Sequence, residues 1–135
     1  MSLIKALRTQ TSKYQIPFDY WIIDKPLTEL AVDEIYKTPI PEGEVIFDGT
    51  RAGDKTGNNL LSKLRVFIEE NNSNEFPELT KLVKEMQSIE CVKFFSEMLN
   101  KDLSKSYVRL EVIADKNGFW LEPHCDIKEK LMSSI

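Results

Sequence analysis

Histidine is almost missing from this sequence: His124 is the single one among 135 residues. Cysteine is nearly as scarce, with Cys91 and Cys125 alone. Two thiols are too few for a disulfide scaffold and fit a reducing cytoplasm, where we expect the protein. A basic excess is also missing. The 18 Lys and Arg face 22 Asp and Glu, for a formal net charge of -4. Binding of nucleic acid by phosphate neutralisation is therefore disfavoured. No apolar run approaches the roughly 18 residues of a membrane span. Residues 1–11 lack the apolar core and small-residue cleavage site of a secretory signal. The 5 glycines and 6 prolines are scattered singly, with no repeat or low-complexity stretch. Without a linker to divide it, the chain reads as one domain over 1–135. What is present, 41% hydrophobic and 30% charged residues, is the mix of a globular protein and argues against disorder.

Tyr20 to Asp24 (YWIID) is aromatic and β-branched and reads as a short strand before Pro26. Leu27, Leu30, Ala31, Glu34 and Ile35 have helical spacing, with a stop near Pro39 and Pro41. Glu44 to Phe47 reads as a second strand, and the glycine-bearing stretch from Asp48 to Asn58 as a loop. Leu60, Leu61, Leu64, Phe67 and Ile68 predict a helix, broken at Asn71 to Asn74. Leu79, Leu82, Val83 and Met86 predict the next, with Pro77 near its first turn. Cys91, Phe94, Phe95, Met98 and Leu99 predict a third.

After Asn100 the period becomes two. Along Tyr107 to Ala114, Val108, Leu110, Val112 and Ala114 share one face, and Tyr107, Arg109, Glu111 and Ile113 the other. Asp115 to Gly118 holds Asn-Gly, a hairpin turn signal, and a strand follows over Phe119 to Glu122. The expected order is helices first, then an antiparallel hairpin, then a polar site. One hairpin is marginal in water. With a further apolar segment beginning at Lys130, the expectation is the front part of a longer protein.

The polar site is Pro123-His124-Cys125-Asp126. On an extended segment His124 and Asp126 project to one side, so an imidazole and a carboxylate can share one ion. That donor pair suits a borderline first-row metal such as iron(II). A polar turn after a hairpin is the competing explanation. Tyr107-Val108-Arg109-Leu110-Glu111, then Asn117-Gly118-Phe119-Trp120-Leu121-Glu122-Pro123-His124-Cys125-Asp126, then Lys130-Leu131, resemble the iron(II)/2-oxoglutarate-dependent oxygenases. The closest similarity is to the bacterial and phage branch. Pro17 to Asp24 and Asp48 to Arg51 are similar to it as well. The specific part runs from Arg109 to Lys130. Cys125 stands where that family often has threonine, a position that holds no metal.

The resemblance implies an α+β fold, with N-terminal helices packed on the first strands of a double-stranded β-helix, a jelly roll that is incomplete here. It implies Fe(II) as cofactor, 2-oxoglutarate as co-substrate, and hydroxylation of a small-molecule or unknown substrate. His124 matches the proximal histidine and Asp126 the carboxylate of a facial triad. The distal histidine and the arginine that pairs with 2-oxoglutarate have no counterpart in these residues, so the chain alone is expected to be inactive.

Arg109, Glu111 and Trp120 are expected to line the substrate or co-substrate pocket. For Arg109 and Glu111 the alternative is solvent-facing strand partners, and for Trp120 ordinary packing. Glu122 is weighed as an orienting partner of an imidazole, Lys130 as a neighbour of the site or a surface lysine, and Asp48 and Arg51 as loop contacts. Cys91 lies on a helical apolar stripe and is core on its simplest reading. A zinc site of Cys91, Cys125 and His124 is a rival, without supporting CxxC spacing. A non-catalytic binding or scaffold domain on the same fold is the other. No nucleic-acid or membrane partner is expected, whereas open sheet edges predict self-association.

Overall fold

The first seven-residue helix, α1 (Leu3–Thr9), places Leu3, Ala6 and Leu7 on one buried stripe. Ser2 gives it no side-chain cap. Instead the Ile4 amide donates to Glu85 Oε1 at 3.1 Å, a carboxylate distant in sequence. This computed structural model describes residues 2–40, 65–114, 126 and 128–135.

Strand β1 (Thr11–Tyr14) follows and pairs antiparallel with β2 (Tyr20–Ile23), with Thr11 opposite Ile23 and Tyr14 opposite Tyr20. The YWIID strand is thus present. Lys25, at φ 48, turns the chain out of it. Helix α2 (Glu29–Lys37) starts at Thr28, whose Oγ1 accepts from the Ala31 amide at 3.1 Å, an N-cap bond. It ends just before Pro39, as expected.

Strand β3 (Arg65–Phe67) corrects the helix expected from Leu60 to Ile68, of which residues 60–64 lie outside the described residues. Val66 and Ile68 both pack on the core, which is period two rather than 3.6. Val66 is β-branched and Phe67 aromatic, so strand preference and pairing override a pattern that also fits a helix. A tight turn over Glu70–Asn72 follows. There Asn72 Oδ1 accepts from the Glu69 amide at 2.9 Å and Nδ2 donates to the Phe67 carbonyl at 2.7 Å.

Helix α3 (Pro77–Met86) begins with proline, which needs no hydrogen-bond partner there. Its next two amides are capped from another helix: Glu78 N donates to Glu34 Oε1 and Leu79 N to Glu34 Oε2, both at 2.8 Å. Helix α4 (Ile89–Leu99) starts at Ser88, whose Oγ accepts from Cys91 N at 3.3 Å. It stops at Asn100, which adopts φ 51 and ψ 46 while Lys101 N closes onto Ser96 O at 3.0 Å. Asparagine tolerates that left-handed geometry better than most residues.

Strand β4 (Glu111–Ile113) pairs with β3 and is shorter than the Tyr107 to Ala114 strand expected. The alternation itself holds. Leu110 and Val112 pack inward, while Tyr107 and Ile113 are exposed. Ala31, Ile68, Phe76 and Leu79 form the buried centre, surrounded by Leu27, Ile35, Val66, Leu82, Val83, Leu110 and Val112. Helices α2 and α3 thereby cover the β3–β4 sheet. Burial of a side chain such as Phe76 or Leu79 contributes about 1.5–3 kcal/mol.

The architecture is α+β, with two two-stranded sheets among the described residues. The order is not helices first, because the β1–β2 hairpin precedes α2, α3 and α4. The chain divides into two compact units, Met1–Pro39 with Val66–Val112, and Ile40–Arg65 with Ile113–Ile135. The expected strands at Glu44 to Phe47 and Phe119 to Glu122, the loop at Asp48 to Asn58 and the turn at Asp115 to Gly118 lie outside the described residues. No described helix is long and apolar enough to cross a membrane.

Candidate functional site

Asp126 is the candidate ligand whose surroundings are described. It belongs to the second unit, and its side chain is about half exposed. Lys130 Nζ donates to Asp126 Oδ1 at 3.0 Å, and Ser133 Oγ to Oδ2 at 3.4 Å. The chain turns over residues 128 and 129, which brings Lys130 back onto the carboxylate. Both contacts hold the carboxylate from its own C-terminal side. An exposed ion pair of this kind adds only about 0–1 kcal/mol to stability. Its consequence here is orientation of the carboxylate.

Lys130, for which a surface position is the plainer expectation, is therefore in direct contact with a candidate ligand. Its signal in the sequence is the four-residue spacing from Asp126. His124, the other candidate ligand, lies outside the described residues, as do Trp120, Glu122 and Cys125.

Arg109 and Glu111 belong to the first unit. Arg109 is exposed, with its guanidinium carbon 5.2 Å from the centroid of the Phe67 ring. That cation–π contact anchors the side chain across the outer face of the β3–β4 sheet. Glu111 is half-buried at the start of β4. The alternation that places the two on one face is preserved by their inward-packing neighbours Leu110 and Val112.

Cys91 is fully buried in α4, in the packing with α1. Burial pushes its thiol above the ordinary range, partly offset by a hydrogen bond with Ser88 and reinforced by the nearby carboxylates of Glu85 and Glu90. A packed neutral thiol is core material and a poor metal ligand. No group of three His, Cys, Asp or Glu able to hold a metal occurs among the described residues. The zinc reading gains no support from Cys91.

A cluster not singled out in the sequence sits on the β1–β2 hairpin. Tyr14 and Tyr20 stack with centroids 5.0 Å apart, and the Phe18 ring meets Tyr20 edge-on at 6.0 Å. Lys13 Nζ lies 5.3 Å from the Trp21 ring and 2.8 Å from Asp19 Oδ2. Recognising β1 as the partner of β2 would have brought these rings together. Its polar residues, Thr11, Ser12 and Lys13, carry little strand signal.

The chain matches no family model, no curated protein and no solved structure.

Proposed function

We propose that this chain carries part of the metal site of an iron(II)/2-oxoglutarate-dependent oxygenase, with His124 and Asp126 as two ligands. The observation that carries the reading is the segment Trp120-Leu121-Glu122-Pro123-His124-Cys125-Asp126, preceded in the sequence by an alternating run and an Asn-Gly pair. The half-exposed carboxylate of Asp126, oriented by Lys130 and Ser133, supports it. So does the alternation leading into β4. The finer architecture belongs to the same proposal: β3 and β4 would be opening strands of a double-stranded β-helix, covered by α2 and α3.

The donor set fits the ion. A neutral imidazole and a carboxylate suit ferrous iron, and a facial triad leaves positions for other ligands. When bound, iron supplies the dioxygen chemistry that couples decarboxylation of 2-oxoglutarate to hydroxylation of a substrate. In this reading Asp126 provides anionic charge at the ion and His124 a neutral nitrogen. Lys130 holds the carboxylate in place. Trp120, by the same resemblance, would exclude water. Since His124 is the one imidazole in these 135 residues, a second must come from further polypeptide or another chain. The chain by itself therefore makes no succinate.

Anaerobic Fe(II) titration of the chain, with His124→Ala and Asp126→Ala alongside, tests the assignment. One ion per chain is expected, with loss of binding in both variants. Equal binding by parent and both variants refutes the ligand assignment. Succinate production from 2-oxoglutarate by the chain alone, above that of free iron, refutes the requirement for a second imidazole.

A further inference from the structure

The β1–β2 register determines which backbone groups face outward. Asp24 N donates to Gln10 O at 3.0 Å, one step beyond the Thr11–Ile23 pair. Antiparallel ladders alternate bonded and non-bonded pairs, so Ser12–Ile22 and Tyr14–Tyr20 are the bonded ones. The amides and carbonyls of Thr11, Lys13, Trp21 and Ile23 then point to the sheet edges. Helix α1 packs on β1, and Lys13 marks that edge with a charge. Lysine on an edge strand discourages further pairing. On the β2 side, Trp21 and Ile23 have no further backbone partner among the described residues. That edge reads Tyr-Trp-Ile-Ile, without a charge.

We propose that a second copy of this chain occupies the β2 edge, strand against strand, antiparallel about a two-fold axis at Ile22. The edge is self-complementary. Under the two-fold, Trp21 of one copy exchanges both backbone bonds with Ile23 of the other, and the reverse. Ile22, which is 52% exposed, meets its own counterpart on the axis as a non-hydrogen-bonded pair. The same register sets Tyr20 opposite Asp24 of the second copy, so no like charges oppose each other along the paired strands. The pairing carries the exposed rings of Tyr14 and Phe18 onto one continuous sheet, on the Ile22 side. Lys25 turns out of the strand and limits the paired length to β2. So short a contact falls below the roughly 1,200 Å² of a stable interface, and dimerisation belongs at about 0.1–1 mM. The inference stands independently of the iron site.

Sedimentation of the chain from about 10 µM to about 1 mM, spanning that range, reads the association. The average mass is expected to rise from 15.6 kDa toward twice that value. Ile22→Lys places two ammonium groups on the axis and weakens association at least about tenfold, with circular dichroism confirming the fold. Ile22→Cys, in a Cys125→Ser background, forms an intermolecular disulfide on oxidation, because non-bonded antiparallel pairs bring Cβ atoms to about 4.5–5.5 Å. Ser12→Cys, on the same face of β1, stays uncross-linked. A mass that remains monomeric throughout overturns the proposal. So does a folded Ile22→Lys that dimerises normally, or cross-linking by Ser12→Cys as fast as by Ile22→Cys. Should Ile22→Lys fail to fold, the cross-linking pair decides.

Discussion

Removal of the Glu34 side chain tests how two links between helices distant in sequence stabilise the fold. Its carboxylate accepts two amides at the start of α3, Glu78 N and Leu79 N, at 2.8 Å each. Phe76, at the position where a polar cap would sit, provides no side-chain bond. Glu34→Ala therefore leaves both amides without their acceptor. Loss of an ordinary N-cap costs about 0.5–2 kcal/mol. A bond to a charged group contributes about 1.5–3 kcal/mol, more than a neutral one. Glu34 is half-buried, so water replaces part of the loss, and the expected cost is about 2–3 kcal/mol. Glu34→Gln keeps the volume and one carbonyl oxygen. It loses the second acceptor and the charge that favours a helix N-terminus, for about 1–2 kcal/mol. Urea unfolding followed by circular dichroism measures both. With a slope near 1.5 kcal/mol/M, Glu34→Ala lowers the midpoint by about 1.3–2 M. A midpoint within about 0.3 M of the parent at unchanged slope refutes the capping argument.

In a Cys125→Ser background, Cys91 resists a thiol reagent while folded and reacts only on unfolding, because burial raises its pKa. The folded state binds the thiol proton more tightly than the unfolded state does. This contribution to stability is thus complete below the ordinary thiol pKa of 9.0 and is lost as pH climbs toward the raised value. The stability difference between Cys91 and Cys91→Ala should shrink over that window; a constant difference contradicts the burial argument. Lys130→Gln removes an ammonium 3.0 Å from Asp126 Oδ1. In water the repulsion between one ammonium and a divalent ion about 4 Å away is about 2 kcal/mol, so Fe(II) affinity should rise by up to about thirtyfold at low salt. A fall in affinity assigns Lys130 an orienting role that outweighs its charge.

Much of the helical layer was legible because its signals are local. The spacing from Leu27 to Ile35, the proline at Pro77, the stripe from Leu79 to Met86 and the change of period after Asn100 all act within a turn or two of chain. Strand β3 was not, since Phe67 and Ile68 continue the helical stripe of Leu60, Leu61 and Leu64 and fit a strand only once β4 pairs with them. Strand β1 was hidden by its polar residues and is defined by β2 across the hairpin. Helix α1 is short enough that its three buried residues, Leu3, Ala6 and Leu7, make one stripe without a cap. The remote carboxylate caps, Glu34 on α3 and Glu85 on α1, are tertiary and have no sequence signature. Of the candidate site, the sequence singled out His124 and Asp126, whereas the Asp126–Lys130 contact, with Lys130 read on balance as a surface lysine, comes from the structure. The Arg109–Phe67 contact depended on the pairing of β3 with β4, which the sequence did not disclose.

The most direct test of the metal assignment is a spin-echo measurement on the chain loaded with Mn(II) as a stand-in for the ferrous ion. The account predicts coupling to a single imidazole nitrogen, abolished by His124→Ala, and loss of bound Mn(II) in Asp126→Ala. Bound Mn(II) without nitrogen coupling, or with coupling that persists in His124→Ala, contradicts it.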